Sequence, residues 1–108
     1  IKNDNMPDDK FIKYALDFDK SPDKAKTFET ALGYTKENWK DLKKNISKHI
    51  DESKFVPKGN KGYGMQYEYV MELTGSNGKR ANVLTAWIGK NGEKQLTSVY
   101  VTKKAVTK

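Results

Sequence analysis

Side chains that could act on a phosphate ester recur between Tyr63 and Tyr100, in a stretch where apolar and polar residues alternate. Alternation with a period of two is typical of β-strands that bury one face. Two Asn-Gly pairs, Asn77-Gly78 and Asn91-Gly92, interrupt the stretch, and Asn-Gly favours the tight turn of a β-hairpin. The stretch therefore predicts a three-stranded antiparallel meander that carries polar side chains on one face.

The register of the meander follows if each Asn-Gly pair occupies the centre of a two-residue turn. The odd-numbered residues from Met65 to Leu73 then face inward. On the opposite face Glu68 pairs with Trp87, and Thr85 pairs with Ser98, with the Cβ atoms of such pairs about 5 Å apart. A four-residue loop at the first turn would change the partners but keep the faces. The second face thus gathers a carboxylate, two hydroxyls, an indole and the phenol of the last strand.

Such groups could cleave RNA without a metal ion, because RNA carries its own nucleophile, the 2′-hydroxyl. The protein would supply a base and an acid, for which Glu68 or Tyr100 is suited, cations near the phosphate, and an aromatic surface for a base. The expected catalytic residues are Glu68, Thr85, Ser98 and Tyr100, and the expected substrate-binding residues are Trp87, Lys94, Lys24 and Tyr67. The alternative is structural, with Thr85 and Ser98 as ordinary strand residues and Trp87 packed in a small hydrophobic cluster.

The charge of the chain favours an anionic partner. The net charge is +7, and residues 1–23 hold four Lys and six Asp, so the excess of lysine lies in the part that contains the meander. A basic domain attracts polyanions, although a Lys-rich solubility surface is the alternative. Arg80 is the only arginine, which favours recognition of a nucleic-acid backbone over base readout. The chain lacks cysteine, and its only histidine, His49, has no carboxylate cluster beside it, so no metal or cofactor is expected.

Three helices are predicted before the meander. Proline and acidic residues mark the first two starts, at Pro7 and Ser21-Pro22, and Thr35 opens the third. Apolar residues recur at helical spacing in each helix. The three stripes are Phe11, Tyr14, Ala15 and Phe18; Ala25, Phe28 and Leu32; and Trp39, Leu42, Ile46 and Ile50.

These elements predict an α+β fold of two layers. The three N-terminal helices would pack on the inward face of a C-terminal antiparallel meander of three or slightly more strands, and the second face would stay open. The chain is expected to form a single domain over residues 1–108, with a flexible helix-to-sheet loop at 51–62 and a frayed basic tail at 102–108.

The chain resembles an uncharacterised bacterial domain family over nearly its whole length. The residues that carry the resemblance are Asn5-Met6-Pro7 to Tyr14, Ser21 to Lys26, Phe28, Leu32-Gly33-Tyr34, Trp39, Leu42, Tyr63-Gly64, Tyr67, Leu73, Asn77-Gly78, Thr85-Ala86-Trp87 and Leu96 to Tyr100. Members of that family resemble small stand-alone proteins and C-terminal modules of phage head-morphogenesis-type proteins and polymorphic toxins. Lys94-Gln95 stands where the family often has Pro-Arg, so a phosphate contact there would pass to Lys94.

The order of helices and sheet is also similar to that of the barnase, EndoU, colicin and RelE group of ribonuclease toxins. The similarity implies a site on the sheet face away from the helices. It also implies a C-terminal toxin-like module that acts on tRNA or rRNA in the cytoplasm of a target cell, after export or phage delivery. Such a module would be a monomer when free, without a membrane segment, and would bind an acidic immunity or antitoxin protein. The alternatives are a non-catalytic module that holds nucleic acid or an acidic protein on the same face, and a face for oligomerisation.

Overall fold

The computed structural model describes residues 1–60 and 62–108, so Lys61, within the predicted 51–62 loop, lies outside the described residues. The helices are a π-helix at Lys10–Ala15, α1 at Pro22–Leu32 and α2 at Trp39–His49. The strands are β1 at Val56–Asn60, β2 at Met65–Thr74, β3 at Arg80–Lys90 and β4 at Glu93–Thr102. They form one antiparallel sheet in the order β1-β2-β3-β4, and the helices pack on one face of it. Among these described elements, no helix combines the length and apolar character needed to cross a bilayer.

The predicted architecture of three N-terminal helices on a meander of three or slightly more strands is wrong, because two α-helices precede a sheet of four strands. The additional strand, β1, comes from the segment predicted as a flexible loop, and its Val56 pairs with Glu68 of β2. The proline and glycines of this segment favoured a loop. An edge strand nevertheless tolerates proline, since the missing N–H can face away from the sheet, and the pairing shifts by a bulge just after Pro57.

The segment predicted as the first α-helix is a six-residue π-helix, Lys10–Ala15. The amide of Leu16 donates to the carbonyl oxygen of Phe11 at 2.9 Å, a hydrogen bond that spans five residues. This wider turn buries Phe11 and Leu16 but leaves Tyr14 and Phe18 50% and 47% exposed. The stripe predicted at α-helical spacing is therefore wrong at these two aromatic residues.

The first hairpin has a three-residue loop instead of the predicted two-residue turn. The amide of Gly75 donates to the carbonyl oxygen of Lys79 at 2.8 Å and closes this loop. Thr85 consequently lies opposite Tyr69. A slip of one residue moves every β3 side chain to the other face, so Thr85 and Trp87 point towards the helices.

The end of α1 holds this loop in place. The Ser76 hydroxyl donates to the Gly33 carbonyl oxygen at 2.7 Å, and the Asn38 side-chain amide donates to the same oxygen at 2.9 Å. The backbone of Gly75 passes so close that a Cβ there would overlap the carbonyl oxygen of Leu32. The loop length is thus set by a tertiary contact that strand periodicity does not encode.

The second hairpin keeps the predicted turn at Asn91 and Gly92, which both have positive φ, and Trp87 lies opposite Leu96 of β4, as a two-residue turn requires. A bulge beside that pair shifts the rest of the register by one residue. Thr85 and Ser98 therefore lie on opposite faces, and the prediction that they share a face is wrong.

The core lies between the helices and the inner face of the sheet. Its largest fully buried members are Met6, Phe11, Leu16, Phe28, Leu32, Leu42, Ile46, Leu73, Trp87 and Leu96. Lys43 of α2 is also buried and pairs with Asp8 at 2.7 Å. This ion pair joins the N-terminal segment to α2.

The C-terminal tail predicted to fray lies across the outer face of the sheet. The amide of Thr107 donates to the Val70 carbonyl oxygen at 2.9 Å, and the Val70 amide donates to the Thr107 hydroxyl at 2.8 Å. The Asn82 side-chain amide donates to the Lys104 carbonyl oxygen at 3.0 Å. Val70 and Leu84 face outward in the register yet are only 2% exposed, so the tail covers them.

The substitution Gly75→Ala should destabilise the fold by about 1–3 kcal/mol, because its Cβ would overlap the α1 backbone and force the loop away. Gly89→Ala is the control, since a Cβ there meets neighbours at an ordinary 3.5 Å, and its effect should stay within about 1 kcal/mol. Chemical denaturation measures both. Equal stabilities of the two variants would contradict the role given to this contact.

Candidate functional site

Thr85 and Trp87, expected on an open face, lie in the core and are 0% and 1% exposed. The Trp87 indole N–H donates to the Thr85 hydroxyl at 2.8 Å, and that hydroxyl donates to the Tyr69 carbonyl oxygen at 2.8 Å. Each polar group is satisfied inside the protein, as buried polar groups require. These two residues stabilise the fold and are out of reach of a substrate.

Tyr67 and Lys94 lie together near the β3–β4 hairpin, on the side of the sheet that faces the helices. The Lys94 ammonium lies 4.6 Å from the centroid of the Tyr67 ring and 4.9 Å from that of Phe55. Phe55 in turn makes an edge contact with Trp87, with ring centroids 5.4 Å apart. Such cation–π and aromatic contacts stabilise the packing of the segment before β1. Lys94 is therefore engaged away from the outer face.

A cavity of about 320 Å³ opens on the outer face of the sheet. We name it the outer cavity. Ala86 of β3 is one of its lining residues, with Glu68 of β2 as its partner on one side and Ser98 of β4 on the other. Because the alanine side chain is small, the surface of the sheet is lower at Ala86 than at Glu68 and Ser98 on either side. The cavity is lined by Lys58, Gln66, Glu68, Ala86, Ile88 and Thr97, and it is also bordered by Tyr67 and Trp87, whose side chains point to the opposite face of the sheet.

Glu68 is held between two lysines at the wall of the outer cavity. The Lys104 ammonium lies 3.2 Å from one carboxylate oxygen, and the Lys58 ammonium lies 3.8 Å from the other. The Glu68 side chain is 20% exposed, so solvent and a ligand can both reach it. The arrangement places a proton acceptor and two cations at one position, which suits a reaction in which negative charge develops on a phosphate.

A second cavity, of about 270 Å³, lies at the free edge of β4 against the π-helix and the start of α1. We name it the edge cavity. Its lining combines lysine, tyrosine and hydroxyl side chains: Lys10, Tyr14, Ser21, Lys24, Thr97 and Ser98. The Lys24 ammonium lies 4.8 Å from the centroid of the Tyr100 ring, and the Lys10 ammonium lies 5.3 Å from that of Tyr14. Ammonium groups and hydroxyl donors of this kind bind phosphate oxygens.

Thr97 lines both cavities, so they adjoin across β4. Of the residues predicted from sequence, Glu68 lies in the outer cavity, Ser98 and Lys24 lie in the edge cavity, and Tyr100 lies beside Lys24. Thr85 and Trp87 have their side chains in the core, and the ammonium of Lys94 lies on the Tyr67 ring, away from this group.

Sequence reasoning missed Lys58, Lys104 and Lys10. The first two fell in segments predicted as a loop and a frayed tail, and only the pairing of β1 and the docking of the tail bring them to Glu68. A lysine at a strand edge opposite an outward carboxylate would have been the signal for Lys58, had β1 been recognised as a strand.

Two carboxyl groups with lowered pKa lie outside both cavities. The backbone amide of Asp19 lowers the pKa of Asp17, with further help from Lys36, and the hydroxyl and amide of Ser53 lower the pKa of Asp51. Both carboxylates cap local turns. Within residues 1–60 and 62–108, no group of three or more His, Asp or Glu side chains is placed to hold a metal ion.

The fold and the two cavities describe a small α+β domain with a basic, hydroxyl-rich site at one edge strand of its sheet. Residues 1–103 match the model of a family described as a domain of unknown function, DUF6883. The chain belongs to this family, which confirms the resemblance to a family of unknown function. The relation to phage and toxin modules stays a prediction. No curated protein and no solved structure matches the chain.

The substitution Thr85→Val should lower the free energy of unfolding by about 1–3 kcal/mol, because it leaves the Trp87 indole N–H buried without an acceptor. Thr97→Val is the matched control. Its hydroxyl also donates to a backbone carbonyl, that of Ala86 at 3.0 Å, but it is exposed, so the change should be about 0.5 kcal/mol or less. Urea denaturation compares the two variants. If Thr85→Val were as stable as the control, the buried hydrogen-bond chain would not have the role assigned to it.

Proposed function

We propose that the protein is a toxin-like endoribonuclease domain that binds single-stranded RNA across β4 and cleaves it with Glu68 as the base. The observation that carries the proposal is the position of Glu68, between Lys58 and Lys104 in a cavity that adjoins a second, basic cavity. The outer cavity lies on the sheet face away from the helices, which is the face predicted for the site from the sequence. The RNA partner is supported by the net charge of +7.

The reaction needs no group beyond the RNA and these side chains. Glu68 accepts the proton of the 2′-hydroxyl while the 2′-oxygen forms a bond to phosphorus. The ammonium groups of Lys58 and Lys104 stabilise the charge that develops on the phosphate oxygens. The bond from phosphorus to the 5′-oxygen breaks, and that oxygen takes a proton from one of these two ammonium groups, whereas Tyr100 lies beside Lys24 at the edge of β4. The products are a 2′,3′-cyclic phosphate and a 5′-hydroxyl end.

The edge cavity binds the next phosphate of the strand. Lys24 and Lys10 supply positive charge there, and Ser98 with Ser21 supplies hydroxyl donors. Tyr14 is 50% exposed, so its ring can stack on a base without any change in the fold. The shared wall at Thr97 lets one strand occupy both cavities.

A second function, RNA binding without cleavage, is favoured by one observation. The Glu68 carboxylate already has two lysine partners, so it can serve to position those lysines for phosphate and take no proton. Under this alternative the same cavities bind RNA, and affinity falls steeply as salt concentration rises.

Cleavage of a fluorescent single-stranded RNA by the purified protein tests the proposal. Glu68→Gln should slow cleavage by about 10²–10⁴-fold, the usual contribution of a general base, while binding is retained. Glu72→Gln is the matched control, because Glu72 lies on the same face of the same strand, is exposed and faces Asn82 instead of the outer cavity. Its rate should equal that of the unchanged protein.

The cut products should carry a cyclic phosphate by mass spectrometry, and RNA with a 2′-deoxyribose at the cleavage position should stay intact. Binding without any cleavage by stoichiometric protein would support the second function and contradict the first. Absence of both binding and cleavage at low salt would contradict both functions.

A further inference from the structure

A groove of about 430 Å³ lies in the helical layer, across the sheet from the outer cavity. It runs between the N-terminal segment and α2, and we name it the α2 groove. Asn3 and Asp8 form one wall, and Trp39 with Lys40, Lys43, Lys44, Ser47 and Lys48 forms the other. Its volume is within the range of small-ligand sites.

The lysines of the α2 groove fall into two kinds. Lys43 is buried, pairs with Asp8 at 2.7 Å and fixes the N-terminal wall to α2. Lys40, Lys44 and Lys48 are exposed, and none of them forms an ion pair with a carboxylate in the part of the chain that the structure describes. Spaced by four residues, they form a single row on the helix, with about 6 Å of helix rise between neighbours.

Helix electrostatics do not favour the first two lysines of the row. Like charges four residues apart destabilise a helix, and Lys44 has such a neighbour on each side. Lys40 lies in the first turn of α2, where the helix dipole disfavours a cation, whereas Lys48 lies in the last turn, where a cation is favoured. Helix stability therefore accounts for Lys48 alone, whereas an anionic ligand accounts for the whole row.

Trp39 supplies the other half of a nucleotide site. Its ring is partly exposed at the start of α2, and the Lys40 ammonium lies 5.8 Å from the ring centroid. An aromatic ring beside a row of ammonium groups is the combination that binds single-stranded nucleic acid, with a base on the ring and phosphates on the cations. An acidic protein segment would pair with the lysines but offers no nucleobase to stack on the Trp39 ring.

We infer that the α2 groove is a second binding site for single-stranded nucleic acid, with one base stacked on Trp39 and successive phosphates on Lys40, Lys44 and Lys48. The inference does not depend on cleavage at Glu68. It adds a contact surface in the helical layer, which holds a separate segment of nucleic acid.

The substitution Lys44→Glu separates binding from stability. It should weaken binding of a short deoxyuridine oligomer about tenfold at low salt, because it reverses the central charge of the row. The same change places a carboxylate four residues from both Lys40 and Lys48, so the melting temperature should stay equal or rise. Lys26→Glu is the matched control, an exposed lysine of α1 that lines neither the α2 groove nor the two cavities on the sheet.

Tryptophan fluorescence reports on the groove itself, since Trp87 is buried and Trp39 is not. The oligomer should quench Trp39 in the unchanged protein and equally in Lys24→Gln, which alters only the edge cavity. A deoxy oligomer lacks the 2′-hydroxyl, so the result does not depend on ribonuclease activity. A failure of the proposed cleavage would leave this measurement unaffected.

Three outcomes would overturn the inference. If Lys44→Glu and Lys26→Glu weakened binding of the oligomer equally, binding would depend on net charge alone and not on the α2 groove. Unchanged Trp39 fluorescence on addition of the oligomer would remove the stacked base. Binding of poly-aspartate in the groove as tight as that of the oligomer would identify the surface as a dock for an acidic protein instead.

Discussion

The close contact between the first hairpin loop and the end of α1 is the constraint on which the rest of the structure depends. Ser76 donates to the Gly33 carbonyl, and Gly75 passes against Leu32 at a distance that admits no side chain. This contact gives the loop three residues instead of two. Because a strand has a period of two, the single added residue decides which side of β3 is buried. The loop length therefore determines which side chains of β3 lie in the core and which line the outer cavity.

The sequence was informative where a signal is local. Alternation in β2 predicted the inward residues from Tyr67 to Leu73 correctly, although Met65 at the strand start is 37% exposed. The Asn91-Gly92 pair predicted the second turn, and both signals depend on neighbouring residues alone. The sequence was uninformative where contacts between distant segments determine the loop length and the strand register. The loop length depends on α1, and the bulge shifts the register of β4 so that Val99 lies in the core with the helices. Thr85 and Trp87 were therefore placed on the wrong face, although they are hydrogen-bonded to each other, as residues two apart on a strand can be.

The candidate site was partly predictable for the same reason. Glu68 and Lys24 belong to elements whose faces the periodicity fixed, and each lines one of the two adjoining cavities. Ser98 and Tyr100 lie on the outer face, as predicted, but only because the bulge shifts the register of β4 by one residue. The predicted register contained no bulge. Lys58 could be found only with β1 in place, since proline and glycine conceal an edge strand from a pattern search. Charge composition predicted an anionic ligand but could not place it, and the structure divides lysine between the sheet edge and α2.

The strength of the lysine contacts at Glu68 decides whether this carboxylate can work on a substrate. The two lysine side chains are 49% and 58% exposed, and exposed ion pairs contribute only about 0–1 kcal/mol each. An incoming phosphate can therefore take over both ammonium groups at small cost and leave the carboxylate free to accept a proton. The two lysines differ in their support: Lys58 lies in the edge strand β1, and Lys104 lies in the C-terminal tail. The tail is held to the sheet through Asn82 and Thr107. The two ammonium groups thus reach Glu68 from segments that are distant in the sequence, and loss of either segment's docking would leave the carboxylate with a single lysine partner.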